Sequence, residues 1–281
     1  MRVDLSGRAV AITGASSGIG AATALSCARA GMAVALFARR AGPLGALRAR
    51  IEGEGGRAIA VVGSVDDDAD CAGLIRAAED AFGPLYAVVA NAGYGVERRS
   101  WDMPADEARA LFETNFYGSL RVVRPALEGM AARGEGHAVF VSSCLSKIGV
   151  PHYAAYTATK AAQDHFARAM RLELRSRGVA VSSVHPVGTK TAFFDTVAGR
   201  SPDGAALADA GSGRFMQPPE RVARAIVRTL RSGRGGEVWT SPTMRVALGV
   251  GTIFPSLADR ALARMYAKRL GQTPGSGSKT P

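Results

Sequence analysis

The stretch Thr13-Gly14-Ala15-Ser16-Ser17-Gly18-Ile19-Gly20 joins a short apolar run to an alanine-rich one. Residues 8–13 predict a buried strand, and residues 21–30 predict a helix. Glycines let the main chain approach a phosphate, and a helix N-terminus supplies free N–H groups and positive potential. The spacing is Gly-x-x-x-Gly-x-Gly rather than Gly-x-Gly-x-x-Gly. The order strand, glycine loop and helix favours a cradle for the pyrophosphate of a dinucleotide, with an unliganded tight turn as the alternative.

Two arginines follow the second predicted strand. Residues 33–38 are apolar and end at Arg39 and Arg40, at the position that faces the adenosine ribose in such a sheet. An acidic residue there would bind the ribose hydroxyls and repel a 2′-phosphate, whereas guanidinium groups bind phosphate through paired donors. We therefore predict NADP(H) rather than NAD(H) as the cofactor. The alternative is a solvated pair of arginines at the start of a helix.

Strands and helices alternate along the rest of the chain. The predicted helices cover residues 44–54, 67–82, 104–130, 156–177 and 218–231. The predicted strands cover residues 57–62, 85–90, 137–142, 179–184 and 236–240. Such alternation implies parallel pairing through right-handed crossovers. The predicted fold is a doubly wound, mainly parallel, seven-stranded α/β sheet with helices on both faces, formed by one domain of residues 1–243.

Polar side chains follow the predicted strands at one edge of this sheet. Asn91-Ala92-Gly93 comes after the fourth strand, and Ser143 comes after the fifth. Ligands of parallel sheets bind beyond the carboxyl ends of the strands. These residues, the glycine loop and Arg39 are therefore expected to meet at a single site.

A tyrosine and a lysine four residues apart complete the pattern, in Tyr156-Thr157-Ala158-Thr159-Lys160. This spacing places the two side chains on one side of a helix. An ammonium group near a phenol favours the phenolate, so the pair forms a tunable acid and base. By itself the spacing is also typical of an unremarkable surface pair, and only the rest of the sequence favours catalysis.

In their order and spacing, these motifs resemble those of the short-chain dehydrogenase/reductase family. The resemblance rests on the glycine loop, Asn91-Ala92-Gly93, Asn115, Ser143 and the Tyr156/Lys160 pair, and it spans roughly residues 5–240. Tyr153 competes for the role of Tyr156, but only Tyr156 has a lysine four residues later. The resemblance implies an oxidoreductase that interconverts a carbonyl and a secondary alcohol.

The resemblance also implies catalytic roles. Tyr156 would be the general acid in reduction and the base in oxidation, and Ser143 would hold the substrate carbonyl. Lys160 would lower the pKa of Tyr156 and bind the nicotinamide ribose. Asn115 would hold a water molecule in a proton relay from Lys160.

The expected cofactor contacts extend along the same sheet edge. They are Gly14, Ser16, Ser17, Gly18, Ile19, Gly20, Arg39, Arg40, Ser64, Val65, Asn91, Ala92, Gly93, Tyr156, Lys160, Pro186, Thr189 and Thr191. Ser64 stands where the family commonly has an aspartate that contacts adenine. Pro186-Val187-Gly188 replaces the usual Pro-Gly, so the main chain that precedes Thr189 and Thr191 is expected to run differently.

The substrate is expected to be a fairly apolar small molecule. The predicted substrate contacts are Ser143, Cys144, Tyr153, Tyr156, Phe193 and Phe194, and residues 192–216 are expected to form a lid. Cys144 is alternatively a small buried residue, and His152 and Tyr153 are as well explained by packing. Lys147 is interpreted as a solvated loop lysine, with contact to an anionic substrate group as the alternative. The buried face of the Tyr156 helix is predicted to comprise Ala161, Ala162, Phe166, Ala169, Met170 and Leu174.

The amino-acid composition limits which class of protein this can be. The chain has 281 residues, of which 47% are hydrophobic and 21% charged, as in an ordinary soluble domain. Three widely spaced cysteines fit neither a disulfide framework nor a metal site. No signal segment is recognised at the N-terminus, so a cytoplasmic location is expected, with no metal and no nucleic-acid partner.

The C-terminal region is unusually basic. Residues 214–271 contain eleven Lys and Arg and three Asp and Glu, which accounts for +8 of the net charge of +11. Residues 256–270 predict an amphipathic helix within an extension at residues 244–270, and residues 271–281 predict a disordered tail. The extension is expected to cover the protein's own surface, where it would close the pocket, with a subunit contact or a membrane surface as alternatives.

Two other functions compete with that of the enzyme. One is a catalytically silent dinucleotide-binding sensor, against which the complete set of Asn115, Ser143, Tyr156 and Lys160 argues. The other is a peripheral membrane binder that uses the basic C-terminal region. A homo-oligomer, a dimer or a tetramer, is expected because the helices around Asn115 and Tyr156 commonly pair subunits in similar proteins.

Overall fold

The computed structural model describes residues 2–191, 193, 197 and 216–269, with side chains up to residue 266. Most of the predicted lid, including Phe194, lies outside the described residues, as does the predicted tail at residues 271–281.

Seven parallel strands form one sheet in the order β3-β2-β1-β4-β5-β6-β7. The strands are β1 (Ala9–Thr13), β2 (Ala33–Ala38), β3 (Arg57–Val62), β4 (Leu85–Ala90), β5 (Gly136–Val141), β6 (Val179–His185) and β7 (Gly236–Trp239). The order reverses between β1 and β4, and such a reversal opens a crevice at the carboxyl ends of the strands. The predicted fold class is confirmed.

Helices cover both faces of the sheet because its central strands are apolar along their whole length. The helices are α1 (Gly18–Arg29), α2 (Ala41–Gly53), α3 (Asp68–Phe82), α4 (Ala105–Phe112), α5 (Gly118–Arg133), α6 (Ala154–Leu174), α7 (Pro219–Ser232), α8 (Pro242–Ile253) and α9 (Pro255–Arg269). One core contains residues of α1, α2 and α7, and the other contains residues of α3, α5 and α6.

The stretch predicted to be helical at residues 104–130 contains a π turn. Between α4 and α5 the chain forms a π-helical turn, Glu113–Tyr117, which contains Asn115. A π turn displaces the main-chain hydrogen bonds by one residue and is frequent at functional sites. The stretch is therefore helical as predicted, and what the sequence did not indicate is the π turn at Asn115.

The predicted apolar face of α6 was wrong at two of its six residues, while Met170 is buried and Ala161, Ala162 and Leu174 are partly buried. Phe166 and Ala169 are exposed. The residues of α6 that are buried are mostly polar, namely Tyr156, Thr157, Thr159, Lys160, Gln163, Asp164, Ala167 and Met170. Hydrogen bonds across the core satisfy several of these groups, so the buried face of α6 is largely a functional surface.

Candidate active site

The ends of β1 and β4 are tied together by side-chain hydrogen bonds. Thr13 Oγ1 accepts from the main-chain N–H groups of Asn91 and Ala92, both at 3.0 Å. Asn91 Nδ2 donates to the main-chain oxygen of Thr13 at 2.9 Å. These bonds fix the glycine loop against the Asn91-Ala92-Gly93 turn, as the sequence predicted from their positions after neighbouring strands.

Two glycines of the loop are required by close packing. Gly14 has a φ of 65°, a conformation that side-chain-bearing residues rarely adopt. A Cβ atom on Gly20 would lie 2.3 Å from the main-chain oxygen of Gly14. The first turn of α1 can therefore sit directly on the loop, with no side chain capping the helix N-terminus.

The arginines after β2 lie at this loop. Arg40 Nη2 donates to Ser16 Oγ at 3.0 Å and to Ser17 Oγ at 3.3 Å. Arg39 is exposed and lines the same cavity. No acidic residue ends β2, so the positive potential beside the glycine loop is not neutralised there.

A cavity of about 680 Å³ runs along the carboxyl edge of the sheet. It is lined by nearly all of the predicted site residues that the structure describes, from Arg39 and Arg40 at one end to Tyr156 and Lys160. Gly20 and Asn115 do not line it. Gly20 allows α1 to pack closely on the glycine loop, and Asn115 forms hydrogen bonds next to the cavity. Thr189 and Thr191 do line it, and a Cβ atom on Gly18 would lie 3.0 Å from Thr191 Cβ.

Tyr156, Lys160 and Ser143 meet at the centre of the cavity. The Ser143 hydroxyl hydrogen-bonds the Tyr156 side chain. Lys160 Nζ donates to the main-chain oxygen of Val141 at 2.9 Å and to Gln163 Oε1 at 3.3 Å. Burial lowers the pKa of the Lys160 ammonium to about 8.

The expectation that Lys160 lowers the pKa of Tyr156 is not met in this structure. Burial raises the pKa of the Tyr156 phenol well above its usual value, and the hydrogen bond with Ser143 offsets only part of that rise. The ammonium of Lys160 is directed instead to Val141 and Gln163. The geometry described here therefore keeps the phenol protonated at neutral pH.

Asn115 fixes the neighbouring main chain. Its Oδ1 accepts from the Tyr94 N–H at 2.9 Å, and its Nδ2 donates to the Tyr94 oxygen at 2.9 Å and to Thr159 Oγ1 at 3.0 Å. A Cβ atom on Gly93 would lie 2.9 Å from Asn115 Oδ1 and 3.6 Å from Lys160 Nζ. The side chain thereby ties the turn after β4 to α6, and its part in a proton relay stays a prediction.

Gln163 is a residue of the site that the sequence reasoning missed. Its Nε2 donates to the main-chain oxygen of Asn115 at 3.3 Å and to Ser119 Oγ at 2.6 Å, while its Oε1 accepts from Lys160. Gln163 thus connects the π turn to the lysine. Its position three residues after Lys160, on the same helical face, was the available signal.

Lys147 is neither a solvated lysine nor a substrate contact, so both interpretations were wrong. Its Nζ donates to Asp164 Oδ2 at 2.5 Å and to Glu237 Oε1 at 2.8 Å. Burial alone would raise the pKa of Asp164, but hydrogen bonds from His185 and Lys147 hold it well below its usual value. His185 Nδ1 lies 3.1 Å from the main-chain oxygen of Ser143, which connects this charged cluster to the site.

The same cluster contains side chains of the kinds that bind metal ions. Asp164, His185 and Glu237 are the only group in the described parts of the chain whose ligand atoms come close enough together, within 4.8 Å of one another. The ammonium of Lys147 already bonds both carboxylates. The chain therefore supplies its own cation there.

The part of the cavity at Tyr156 is apolar, and we call it the chamber. It is lined by Leu145, Val150, Tyr153, Tyr156, Phe193 and Tyr266, which pack together with Ile148 and Val197. The rings of Tyr156 and Phe193 lie 5.5 Å apart, and those of Tyr153 and Tyr156 lie 6.4 Å apart. Cys144 also lines the cavity, and burial raises the pKa of its thiol to about 11.

Tyr266 of α9 was not predicted at the site. Its ring stacks on His152 at 5.8 Å and lines the cavity, which carries the C-terminal extension to the mouth of the chamber. His152 has a φ of 65°.

Comparison with known proteins shows the family of the chain. The family model described as "short chain dehydrogenase" matches residues 8–200. The chain belongs to the short-chain dehydrogenase family. The family consists of oxidoreductases, and the resemblance that the motifs suggested is confirmed.

Several characterised relatives share this assignment. The ketoacyl reductase HetN of Nostoc sp. is 28% identical over 91% of this chain and 88% of its own length. Glycine betaine reductase ATRR of Emericella nidulans is 35% identical over 81% of this chain, but the match spans only 18% of that reductase. The 3-dehydrosphinganine reductase of Danio rerio is 29% identical over 82% of this chain and 70% of its own.

Solved structures of this short-chain dehydrogenase fold superpose along most of the chain. A Burkholderia phymatum short-chain dehydrogenase/reductase in complex with NAD has a TM-score of 0.80 at 23% identity, covering 99% of this chain and 100% of its own. A Thermococcus sibiricus alcohol dehydrogenase complexed with 5-hydroxy-NADP has a TM-score of 0.72 at 26% identity, covering 83% and 95%. The first supports the fold alone.

Proposed function

We propose that this short-chain dehydrogenase is an NADP(H)-dependent oxidoreductase that interconverts a carbonyl and a secondary alcohol on a fairly apolar small molecule. The observation that carries the proposal is the single cavity. It joins a glycine loop and two arginines at one end to Ser143, Tyr156 and Lys160, with the apolar chamber beside them.

The chain's residues fit a nicotinamide dinucleotide. The uncapped N-terminus of α1 and the glycine loop suit the pyrophosphate, because the main chain there is bare where a Cβ would collide. Arg39 and Arg40 suit a 2′-phosphate. Thr189, Thr191 and Lys160 suit the nicotinamide end. The bound cofactor would supply or accept the hydride.

Proton transfer is the task of this chain's own side chains. The Ser143 hydroxyl is placed to hold the carbonyl oxygen beside Tyr156. In reduction the Tyr156 hydroxyl donates its proton to that oxygen, and its raised pKa keeps the proton available at neutral pH. In oxidation the Tyr156 oxygen, once it has lost its own proton, accepts the proton of the substrate hydroxyl. Lys160, with a pKa of about 8, carries a positive charge in the same cavity at neutral pH.

The NADP(H) preference has a direct test. Arg39→Asp should lower kcat/KM for NADPH by about tenfold to a hundredfold, because a charge-assisted hydrogen bond to the phosphate is lost. kcat/KM for NADH should change by much less. Arg48→Asp on α2 is the matched control, since Arg48 is exposed and does not line the cavity. Equal losses with the two cofactors would show that Arg39 does not bind the 2′-phosphate.

The substrate class rests on the chamber's apolar residues. A panel of ketones and alcohols of increasing chain length should show kcat/KM rising with apolar size. Turnover of small charged metabolites alone would contradict the proposal. The sensor alternative predicts nucleotide binding with no turnover of any member of the panel.

A cytoplasmic homo-oligomer belongs to the same proposal. The support for the oligomer is the exposure of Tyr117, Phe166 and Leu172, three large apolar residues on the π turn and α6. Light scattering of the purified chain should give a mass of at least two copies, and a monomer at every concentration would contradict it.

A further inference from the structure

The extension formed by α8 and α9 carries an exposed apolar surface. Val246, Val250 and Ile253 lie at i, i+4 and i+7 on α8, opposite the buried Leu248. Val246 is 67% exposed and Ile253 71%. Leu248 therefore packs α8 against the rest of the protein, while the apolar face formed by Val246, Val250 and Ile253 points away from it.

The same division occurs in α9. Ala258, Leu262 and Tyr266 are partly buried, whereas Leu257 and Met265 are 59% and 67% exposed. The expectation that the extension covers the protein's own surface is thus met by only one side of it. Phe254, 58% exposed at the bend between the two helices, joins their outward faces. The outward-facing residues form what we call the C-terminal apolar surface, namely Val246, Val250, Ile253, Phe254, Leu257 and Met265.

Positive charge borders this surface. Arg260 and Arg264 are exposed and lie along α9 beside Leu257 and Met265, and Arg245 is exposed on α8. Asp259 is the one acidic residue between residues 242 and 266. An apolar strip flanked by basic residues is the pattern of a helix that lies in the interface of an anionic bilayer.

The geometry suits lying on a membrane and not crossing it. Within the described residues no single helix is long and apolar enough to span a bilayer. The pair Pro242–Ile253 and Pro255–Tyr266 is so only when its two helices are taken together, and it is bent by 116°. Twelve residues of α8 reach about 18 Å, well short of the ~30 Å hydrocarbon core. A bent pair can, however, place both apolar faces at one interface.

The surface adjoins the mouth of the cavity. Tyr266 lines the cavity and stacks on His152, whose main-chain oxygen accepts from the Arg98 N–H at 2.8 Å. Trp101, three residues beyond Arg98, is 80% exposed. Tryptophan is enriched at membrane interfaces.

We propose that the C-terminal apolar surface docks this protein on an anionic lipid bilayer, with the mouth of the cavity beside the membrane. The docking requires apolar insertion together with charge, and it is independent of the reaction at Tyr156. A second copy of the chain is the competing occupant.

Vesicle sedimentation of the full chain tests the proposal. Wild-type protein should sediment with phosphatidylcholine vesicles that contain phosphatidylserine, less with phosphatidylcholine alone, and less at high salt. Val250→Asp with Ile253→Asp should weaken binding by about tenfold or more, because two inserted side chains become charged. Val62→Asp is the matched control, since Val62 is 54% exposed at the opposite edge of the sheet.

Charge is tested separately. Arg260→Glu with Arg264→Glu should weaken binding to the anionic vesicles by about tenfold or more. Arg224→Glu with Arg228→Glu changes the net charge equally at a different basic groove, on α7, and should have a much smaller effect.

Three results would overturn the proposal. The first is wild-type protein that fails to sediment, and the second is a larger loss from the α7 pair than from the α9 pair. The third is a smaller oligomer for the α8 variant than for wild type in light scattering without vesicles, which would assign the surface to a second copy.

Discussion

The buried polar residues at the site, which we call the catalytic floor, and the C-terminal extension distribute polarity in opposite ways. The floor buries Asn115, Lys160 and Gln163, and it bonds each of them to main-chain or side-chain partners. The extension leaves Ile253 and Met265 exposed. A buried polar group is costly unless it is paired, and an exposed apolar face is costly unless something covers it.

The two regions also differ in how many contacts hold their residues in place. Asn115, Lys160 and Gln163 bond residues of other elements, so each substitution there disturbs several partners. The extension is anchored mainly by Leu248 and Tyr266, and its outward residues touch little. Substitutions on the floor should therefore change chemistry or stability, whereas those on the outward face should change only association.

The largest expected effect is at Tyr156. Tyr156→Phe should lower kcat by about a thousandfold, because the proton donor is lost while the ring still packs in the chamber. Nucleotide affinity, measured by fluorescence titration, should stay within a few-fold of wild type. Tyr153→Phe is the matched control and should cost less than about tenfold. A larger loss at Tyr153 would move the acid to that residue.

The charged cluster beneath Ser143 should come next. Lys147→Met leaves Asp164 and Glu237 without their ammonium, so the free energy of unfolding should fall by about 3 kcal/mol at neutral pH. Because the folded-state pKa of Asp164 is depressed, its stabilisation exists above its unfolded pKa and disappears as the pH falls through the folded value. The deficit should shrink in urea unfolding below about pH 4.

A control for that cluster lies on the surface. Arg48→Met removes the exposed pair with Glu52, 3.7 Å apart, and should change the unfolding free energy by less than about 0.5 kcal/mol. Similar losses of unfolding free energy for Lys147→Met and Arg48→Met would show that Asp164 and Glu237 do not depend on the ammonium of Lys147.

The pH dependence of Lys160 gives a smaller effect with a defined sign. Its folded-state pKa of about 8 lies below the ordinary 10.5, so the unfolded chain binds more protons between these values. Stability contributed by this residue therefore rises with pH in that window. Relative to Lys160→Met, wild type should gain about 2 kcal/mol in unfolding free energy from pH 7 to pH 9.5. A constant difference would mean that the ammonium is not desolvated.

The smallest effect is expected on the extension. Ile253→Asp should change the unfolding free energy by less than about 0.5 kcal/mol, because a side chain that is 71% exposed loses little contact. Leu248→Asp, on the buried side of the same helix, is the matched contrast and should cost several times more. Equal costs would show that both sides of α8 are covered in solution.

Local pattern was enough to predict the sheet. Residues 33–38, 57–62 and 85–90 match β2, β3 and β4 at both ends. β2 and β4 are buried along their whole length, and such a strand is a continuous apolar run bounded by turn residues. β3 lies at the edge of the sheet and is partly exposed, but glycines precede and follow it. The glycine loop, the Tyr156/Lys160 pair and Ser143 were placed at one cavity for the same reason, since each follows a strand end or lies on the adjoining helix.

Long-range contacts set what the sequence did not predict. The partners of Lys147 lie 17 and 90 residues away, so no local spacing indicated them. The π turn at Asn115 depends on bonds to Tyr94 and Thr159, which helical periodicity does not encode. An amphipathic pattern likewise does not say which side of α9 faces the protein.

The proposed binding of a nicotinamide dinucleotide and reduction of a carbonyl beside Tyr156 can be followed in one experiment. Deuterium is traced by mass spectrometry from NADPH labelled at the transferable position into an apolar ketone. We expect one deuterium on the carbinol carbon with wild-type enzyme, and none in the same time with Tyr156→Phe despite bound cofactor. Unlabelled product, or equal labelling by the variant, would contradict it.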